Sequence, residues 1–165
     1  MKQTIVVYGS STGTCESIAQ TIASKLGVNA IEVTQLTTDV VDQYQALILG
    51  TSTWGYGELQ DDWYDGVSTL KGVDLSGKTI ALFGCGDVES YCDTFCDGIG
   101  LIYNDIKDSG AKFVGAVSTD GYSHSDSASV VDGQFVGLAL DDINEDDKTE
   151  SRIDSWIESI KSELE

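Results

Sequence analysis

The sequence contains no proline and only one histidine, His124, among 165 residues. Without proline, chain reversals depend on glycine and on Asn and Asp turns. A single histidine leaves little material for a histidine-based metal site or for most histidine-dependent catalysis. We expect His124, which lies among Ser and Asp residues, to be at the surface.

Basic residues are also scarce. Nine Lys and Arg stand against 28 Asp and Glu, which gives a net charge of −19. Such a field repels nucleic acid and anionic membranes and favours a basic partner, although solubility alone would also account for it. No apolar run approaches the roughly 18 residues that a membrane span needs, and the N-terminal stretch does not resemble a signal peptide. We therefore expect a cytoplasmic protein.

The four cysteines, Cys15, Cys85, Cys92 and Cys96, follow no spacing typical of zinc or iron–sulfur sites. Buried, reduced thiols are the expected state, and no metal is predicted.

Five short apolar runs alternate with stretches that carry apolar residues at helical spacing. The runs are Thr4–Tyr8, Ala30–Val33, Tyr44–Gly50, Thr79–Gly84 and Lys112–Val117. This alternation predicts an α/β fold, a three-layer doubly wound parallel sheet of five strands, in one domain spanning residues 1–165. A last helix is expected with Thr149 as its N-cap. The polar stretch 118–147, which contains an apolar island at 135–140, predicts an insertion in the fifth strand.

The first strand leads into a turn of small hydroxyl residues and glycine that opens a helix. Four hydroxyls, those of Ser10, Ser11, Thr12 and Thr14, surround Gly13. Amide groups at a helix start and the helix dipole attract anions, so this turn is typical of a phosphate site built from neutral donors. Helix capping alone would account for one or two of the hydroxyls. Neither the P-loop nor the dinucleotide-binding pattern matches.

The loops after the third and fourth strands should meet this turn, because ligands of such sheets bind beyond the carboxyl ends of the strands. Each loop places one large aromatic residue, Trp54 or Tyr91, among small residues. A lone loop aromatic usually serves in packing, but two that face a phosphate turn indicate a flat ring held between aromatic faces.

These motifs resemble those of the flavodoxins. The resemblance rests on Ser10–Thr14, on Thr53-Trp54, and on the third-loop pattern from Gly86 and Asp87 through Tyr91 and Asp93 to Phe95, while Thr119–Tyr122 and 135–140 resemble the insertion of long-chain flavodoxins. It implies the strand order 2-1-3-4-5 and FMN as the cofactor. The implied cofactor contacts are Ser10, Ser11, Thr12, Gly13, Thr14 and Cys15, then Thr51, Ser52, Thr53, Trp54, Gly55, Tyr56 and Gly57, then Cys85, Gly86, Asp87, Tyr91, Asp93 and Phe95.

The resemblance further implies a low-potential one-electron carrier that shuttles FMN between semiquinone and hydroquinone states. Gly55 would turn its carbonyl toward the flavin, which a glycine does at little steric cost. The implied partners are redox proteins with basic surfaces, such as a ferredoxin/flavodoxin reductase or other oxidoreductases, in transient contact with a monomer. Cys15 departs from the Thr of many family members; as a thiol at a helix start it is a candidate reactive residue.

Three other functions stay open. An FMN-dependent quinone or azo reductase would share the fold but would need a substrate pocket over the flavin, for which no residue set is evident. A phospho-acceptor receiver domain would need acids after the first strand and at the end of the third, where this chain has Gly9-Ser10 and Gly50-Thr51. A flavin-free interaction module is the third.

Overall fold

The computed structural model describes residues 3–9, 13–54, 58–87, 89–90, 94–122, 124 and 126–164, with the backbone alone at 54 and 58. Its strands are β1 Thr4–Gly9, β2 Asn29–Glu32, β3 Ala46–Trp54, β4 Glu58–Leu59, β5 Thr79–Cys85, β6 Lys112–Val114, β7 Val117–Ser118, β8 Val130–Val131, β9 Gln134–Phe135 and β10 Leu138–Leu140. Its α-helices are α1 Thr14–Leu26, α2 Thr38–Gln43, α3 Trp63–Lys71, α4 Asp97–Ile106 and α5 Asp146–Ile160, with 3₁₀ turns at Val33–Gln35 and Lys161–Leu164.

The central strands form a parallel sheet in the order β10-β5-β3-β1-β2. Both β6 and β10 pair with β5 in parallel, so together they make up the fifth strand of the predicted 2-1-3-4-5 order. That prediction of the fold is confirmed, including the insertion in the fifth strand.

The first part of the fifth strand, β6, is shorter than the run Lys112–Val117 that the sequence indicated. It ends at Val114, because Gly115 takes the left-handed conformation (φ 87°) and turns the chain away. Trp156 holds this bend by donating its indole N–H to the carbonyl of Gly115 at 2.8 Å. The chain then enters a small antiparallel sheet, β7-β9-β8, before it returns as β10.

Two apolar cores cover the two faces of the central sheet, which explains the nearly continuous apolar strands. Alternate residues of β1 separate between them: Ile5 and Val7 face the core built with α3 and α4, and Val6 and Tyr8 face the core built with α1 and α5. All six residues of β1 are buried.

The last helix begins at Asp146, three residues before the expected N-cap, so the prediction for Thr149 is wrong. The Thr149 hydroxyl instead donates to Asp142 Oδ1 at 2.8 Å. Within the described ranges, no helix has the length and apolar character needed to cross a membrane.

Candidate cofactor site

Strand register brings the three loops to one edge of the sheet. Gly9, at the end of β1, pairs with Thr51 of β3, and Thr51 pairs with Gly84 of β5. The chain leaves β1 and β5 within one residue of these pairs, whereas β3 continues to Trp54 and pairs with β4. The first turn and the third loop therefore begin on either side of the last residues of β3.

The first turn ends at Gly13, which is the N-cap of α1 and has the left-handed conformation (φ 92°). Apart from its chain neighbours, no atom of the described residues lies within 4 Å of the place that a Cβ would occupy there. The backbone conformation, and not a lack of space among those residues, therefore favours glycine at this position. Residues 10–12 lie outside the described part of the chain. The helix starts here, with Gly13 exposed and Thr14 half-buried, and the positive end of a helix dipole suits an anion.

The sequence analysis ended the third strand at Gly50, but β3 runs on to Trp54, so the first half of the predicted second loop (residues 51–58) is strand. This part of the loop contains an orphaned hydroxyl. Ser52 Oγ is buried and has no hydrogen-bond partner among the described residues. Its neighbours are satisfied, since Thr51 Oγ1 donates to the carbonyl of Ser52 at 2.9 Å and Thr53 Oγ1 accepts from Gly98 N at 2.9 Å. A buried hydroxyl without a partner is destabilising by about 1–3 kcal/mol, so Ser52 is suited to a polar group of a ligand. Residues 55–57 are not described.

The third loop is held by its first two residues. Gly86 N donates to the carbonyl of Leu140 at 2.9 Å, and Asp87 Oδ1 accepts from Ser90 N at 3.0 Å and from Asn144 Nδ2 at 2.7 Å. Desolvation by burial would raise the pKa of Asp87, but these hydrogen bonds outweigh it, so its pKa is lowered and the carboxylate stays charged. Residues 88 and 91–93 lie outside the described ranges.

Phe95 and His124 belong to an aromatic cluster beneath the third loop. The Phe95 ring, 1% exposed, lies about edge-on to Phe135 and stacks on His124, with centroids 6.0 Å away in both cases. His124 is therefore half-buried rather than at the surface, and its Nδ1 is buried without a hydrogen-bond partner in the described structure. The imidazole packs against Phe95 and against Phe135 of the insertion. The polar sequence around His124 did not indicate this contact.

The insertion fixes the start of α4, which follows the third loop. Ser129 Oγ accepts from Gly100 N at 2.8 Å and donates to the carbonyl of Cys96 at 2.5 Å. Asp97 Oδ1 accepts from Ala128 N at 2.6 Å, and Ser127 donates to the carbonyl of Phe95. The sequence analysis missed Ser129, Asp97 and Asn144, because no periodic pattern indicates which polar residues will form such long-range hydrogen bonds.

The Cys15 thiol faces the interior. Cys15 lies in the first turn of α1 and is 1% exposed, while Cys85 is 7% exposed and Cys96 is fully buried. A hydrogen bond that Cys15 shares with Cys85, together with burial, raises the pKa of the Cys15 thiol well above its ordinary value. The candidate role of Cys15 as a reactive thiol is therefore wrong, because the helix start does not offset the lost solvation.

Thiol titration tests this arrangement. In a Cys92→Ser background, which removes the cysteine outside the described residues, we expect Cys15, Cys85 and Cys96 to react with a disulfide reagent only after unfolding. A thiolate is the reacting species, and burial suppresses it. The denatured chain serves as the control and should show all of its thiols, whereas one rapidly reacting thiol in the native chain would contradict the buried arrangement.

Carboxylates surround the loops. Asp61, Asp62, Asp65 and Glu89 are exposed, and none of them takes part in a salt bridge with a described basic residue. The site therefore lies in a negative field.

Comparisons with known proteins agree with this geometry. The family model for flavodoxin matches residues 6–156. Flavodoxin of a Nostoc species is 44% identical over 95% of this chain and 94% of its own, and flavodoxin 1 of Azotobacter vinelandii is 42% identical over 96% and 95%. The crystal structure of Fusobacterium nucleatum flavodoxin bound to flavin mononucleotide superposes with a TM-score of 0.93 at 32% identity, covering 100% of both chains.

A doubly wound sheet with three loops gathered at its carboxyl edge defines a flavodoxin-like α/β protein. The chain belongs to the flavodoxin family. Flavodoxins are electron-transfer proteins that bind FMN and meet their redox partners transiently. The predicted family, function class and cofactor are therefore confirmed. The alternative, an FMN-dependent quinone or azo reductase, is not favoured. The length of 165 residues agrees with the long-chain type.

Proposed function

We propose that this chain forms one cytoplasmic domain, residues 1–165, which binds FMN at the three loops described above and carries single electrons at low potential. When bound, FMN supplies the redox chemistry. The observation that carries the proposal is the register that places the ends of β1, β3 and β5 side by side, with the unpartnered Ser52 hydroxyl between them.

The first turn is assigned to the phosphate. Its side-chain donors are Ser10, Ser11, Thr12 and Thr14, and Gly13 supplies the backbone conformation that opens α1. Because the Cys15 thiol is buried and faces Cys85, position 15 has only its backbone N–H to offer. A hydrogen bond to a charged group contributes about 1.5–3 kcal/mol, so this turn should bind phosphate somewhat less tightly than one with a hydroxyl at position 15.

The second and third loops are assigned to the flavin ring. The ring would lie between the side chains of Trp54 and Tyr91. Thr51, Ser52, Thr53, Gly55, Tyr56 and Gly57 would line it on one side, and Cys85, Gly86, Asp87 and Asp93 on the other. The side chain of Phe95 lies in the core, so Phe95 supports the third loop from beneath.

The exposed acids should lower the potential. One carboxylate about 12 Å from the ring, at an effective dielectric constant of about 40, opposes the addition of an electron by about 0.7 kcal/mol, or roughly 30 mV. Asp87 remains charged because its pKa is lowered, and Asp61, Asp62, Asp65 and Glu89 add to the field. Together they favour a strongly negative lower potential that becomes less negative as salt is added.

The same field suggests the partners. Redox proteins with basic surfaces, such as a ferredoxin/flavodoxin reductase or other oxidoreductases, would be steered to the exposed acids around the loops. A small, transient contact suits a monomer that must release each partner after one electron. The net charge of −19 disfavours contact with nucleic acid or anionic membranes.

Trp54→Ala tests the ring assignment. We expect the dissociation constant of FMN to rise about tenfold, because stacking on an aromatic face contributes about 1–3 kcal/mol, and we expect both one-electron potentials to shift. Fluorescence titration and redox titration measure these effects, with Tyr64→Ala, an exposed aromatic on α3, as the control. Unchanged affinity and potentials would show that Trp54 does not contact the flavin ring.

Titration of the unaltered chain with FMN tests the proposal as a whole. Uptake of FMN and two separate one-electron steps are expected. A chain that takes up no FMN, or that turns over a nicotinamide cofactor with a quinone without an added reductase, would overturn it.

A further inference from the structure

Asn144 connects two carboxylates that no sequence pattern had linked. Its Nδ2 group donates to Asp87 Oδ1 at 2.7 Å and to Asp141 Oδ2 at 2.9 Å. A side-chain amide has two N–H donors, so each hydrogen has one acceptor. Asp87 lies in the third loop, and Asp141 directly follows β10.

Asp141 fixes the position of Asn144. The Asp141 side chain is fully buried, and its Oδ1 accepts from the backbone N–H groups of Ile143 at 3.1 Å and Asn144 at 2.9 Å. Backbone and side chain of Asn144 are therefore both held by one residue at the end of a central strand. An amide held in this way presents its second hydrogen to Asp87 without a further loss of side-chain freedom.

The third loop contacts the end of β10 and the segment after it through two adjacent residues, Gly86 and Asp87. Besides the contact between Asp87 and Asn144, Gly86 N donates to the carbonyl of Leu140 at 2.9 Å. Asp87 Oδ1 also accepts from Ser90 N at 3.0 Å, so the backbone at Ser90 is fixed relative to Asp87. The segment after β10 thus holds the loop that leads to Tyr91.

We propose that Asn144 is a positioning residue for the flavin ring, acting through Asp87 to hold the third loop in the conformation that receives the ring. The inference rests on the proposed assignment of Asp87 and the third loop to the cofactor. It extends that assignment to a residue that lies 57 positions from Asp87 in the chain.

The physical reason lies in the two negative charges. Hydrogen bonds from the Asn144 amide satisfy one oxygen of each carboxylate, and hydrogen bonds to ionised acceptors are among the stronger ones. Without the amide, two carboxylates would face each other with no donor between them, and like charges at short range repel. Asp141 is buried and Asp87 only half-buried, so Asp87 and the loop that carries it are the part that would move away.

The main test compares Asn144→Ala with a matched control, Asn104→Ala, which makes the same change at an exposed position of α4. The probes are FMN and riboflavin, which carries the same ring but no phosphate. For Asn144→Ala we expect both dissociation constants to rise by the same factor, about tenfold, and the lower potential to shift, whereas Asn104→Ala leaves all of them unchanged. The tenfold change corresponds to 1.4 kcal/mol.

Asn144→Ser provides a second variant if the alanine variant folds poorly. A serine hydroxyl has one hydrogen to donate, so the rise in both dissociation constants should fall between those of the unaltered chain and Asn144→Ala. Values equal to those of the unaltered chain in both variants would overturn the positioning role. A loss of affinity for FMN without a loss for riboflavin would also overturn it, because it would place the effect at the phosphate.

A double-mutant cycle with Asp87→Ala shows whether Asn144 acts through Asp87. In the Asp87→Ala background, we expect Asn144→Ala to have no further effect on either flavin. An equal effect in both backgrounds would overturn the mechanism. If Asp87→Ala alone leaves both affinities unchanged while the chain still binds FMN, the assignment of Asp87 to the site is wrong, and the inference falls with it.

Discussion

Trp63→Ala is expected to lower the free energy of unfolding by about 3–5 kcal/mol, the range for removing a large buried aromatic side chain. Trp63 is the first residue of α3 and is fully buried, and its indole N–H donates to the carbonyl of Gly50 at 2.7 Å. The ring also fills the space left by Gly9, where a Cβ would meet Trp63 Cδ1 at 2.6 Å. The variant therefore leaves a cavity and removes a buried hydrogen bond beneath the ends of β1 and β3.

The effect should extend to the cofactor, because β1 and β3 lead directly into the first turn and the second loop. Chemical denaturation followed by fluorescence or circular dichroism gives the change in stability, and titration gives the affinity for FMN. Tyr64→Ala is the matched control: Tyr64 is the next residue and is 57% exposed, so a change within about 0.5 kcal/mol is expected. Equal destabilisation by the two variants would show that the packing of Trp63 does not support this edge.

Gly100→Ala is expected to destabilise the chain by about 3 kcal/mol, the upper part of the usual range for overpacking. A Cβ at this position of α4 would collide with the carbonyl group of Ala128 and lie 2.8 Å from Ser129 N. These are backbone atoms, which cannot rotate aside, so either α4 or the insertion must shift. The amide of Gly100 would also lose its hydrogen bond to Ser129 Oγ.

Gly72→Ala is the control for this substitution. Gly72 follows α3 with φ −87°, and the nearest atom to an added Cβ lies at an ordinary 3.5 Å, so the variant should be as stable as the unaltered chain or slightly more so. Because Gly98 N in the same helix binds Thr53 Oγ1 of the second loop, Gly100→Ala should weaken FMN binding as well. An undisturbed affinity would show that the start of α4 does not set the geometry of that loop.

The strands illustrate what could be predicted from local pattern, whereas their order was implied by the resemblance to the flavodoxins. A run such as Leu47–Leu49 is apolar at every position because both faces of the sheet are covered, and that condition is visible in the sequence. The break after Val114 was not visible. It depends on the conformation of Gly115 and on an indole that arrives from α5.

Individual residues of the candidate site also divide into those that local pattern indicated and those that it did not. Gly13 was predicted from its place between a hydroxyl-rich turn and a helical stripe, and the structure places it at the N-cap of α1. The burial of Cys15 agrees with the expected state of the cysteines, but its candidate reactivity and the surface position of His124 were wrong, because both depend on partners that lie far along the chain.

The amino-acid sequence by itself determined the alternation of strands and helices, the family and the three loops to which we assign the cofactor, because periodicity and loop chemistry are properties of neighbouring residues. Only the tertiary structure decided which side chains hold those loops in place. Asn144 and Asp87, or Ser129 and Gly100, come within hydrogen-bond distance after the insertion has folded against α4 and the end of β10. Contacts of this kind depend on the path of the backbone, which no local pattern of residues specifies.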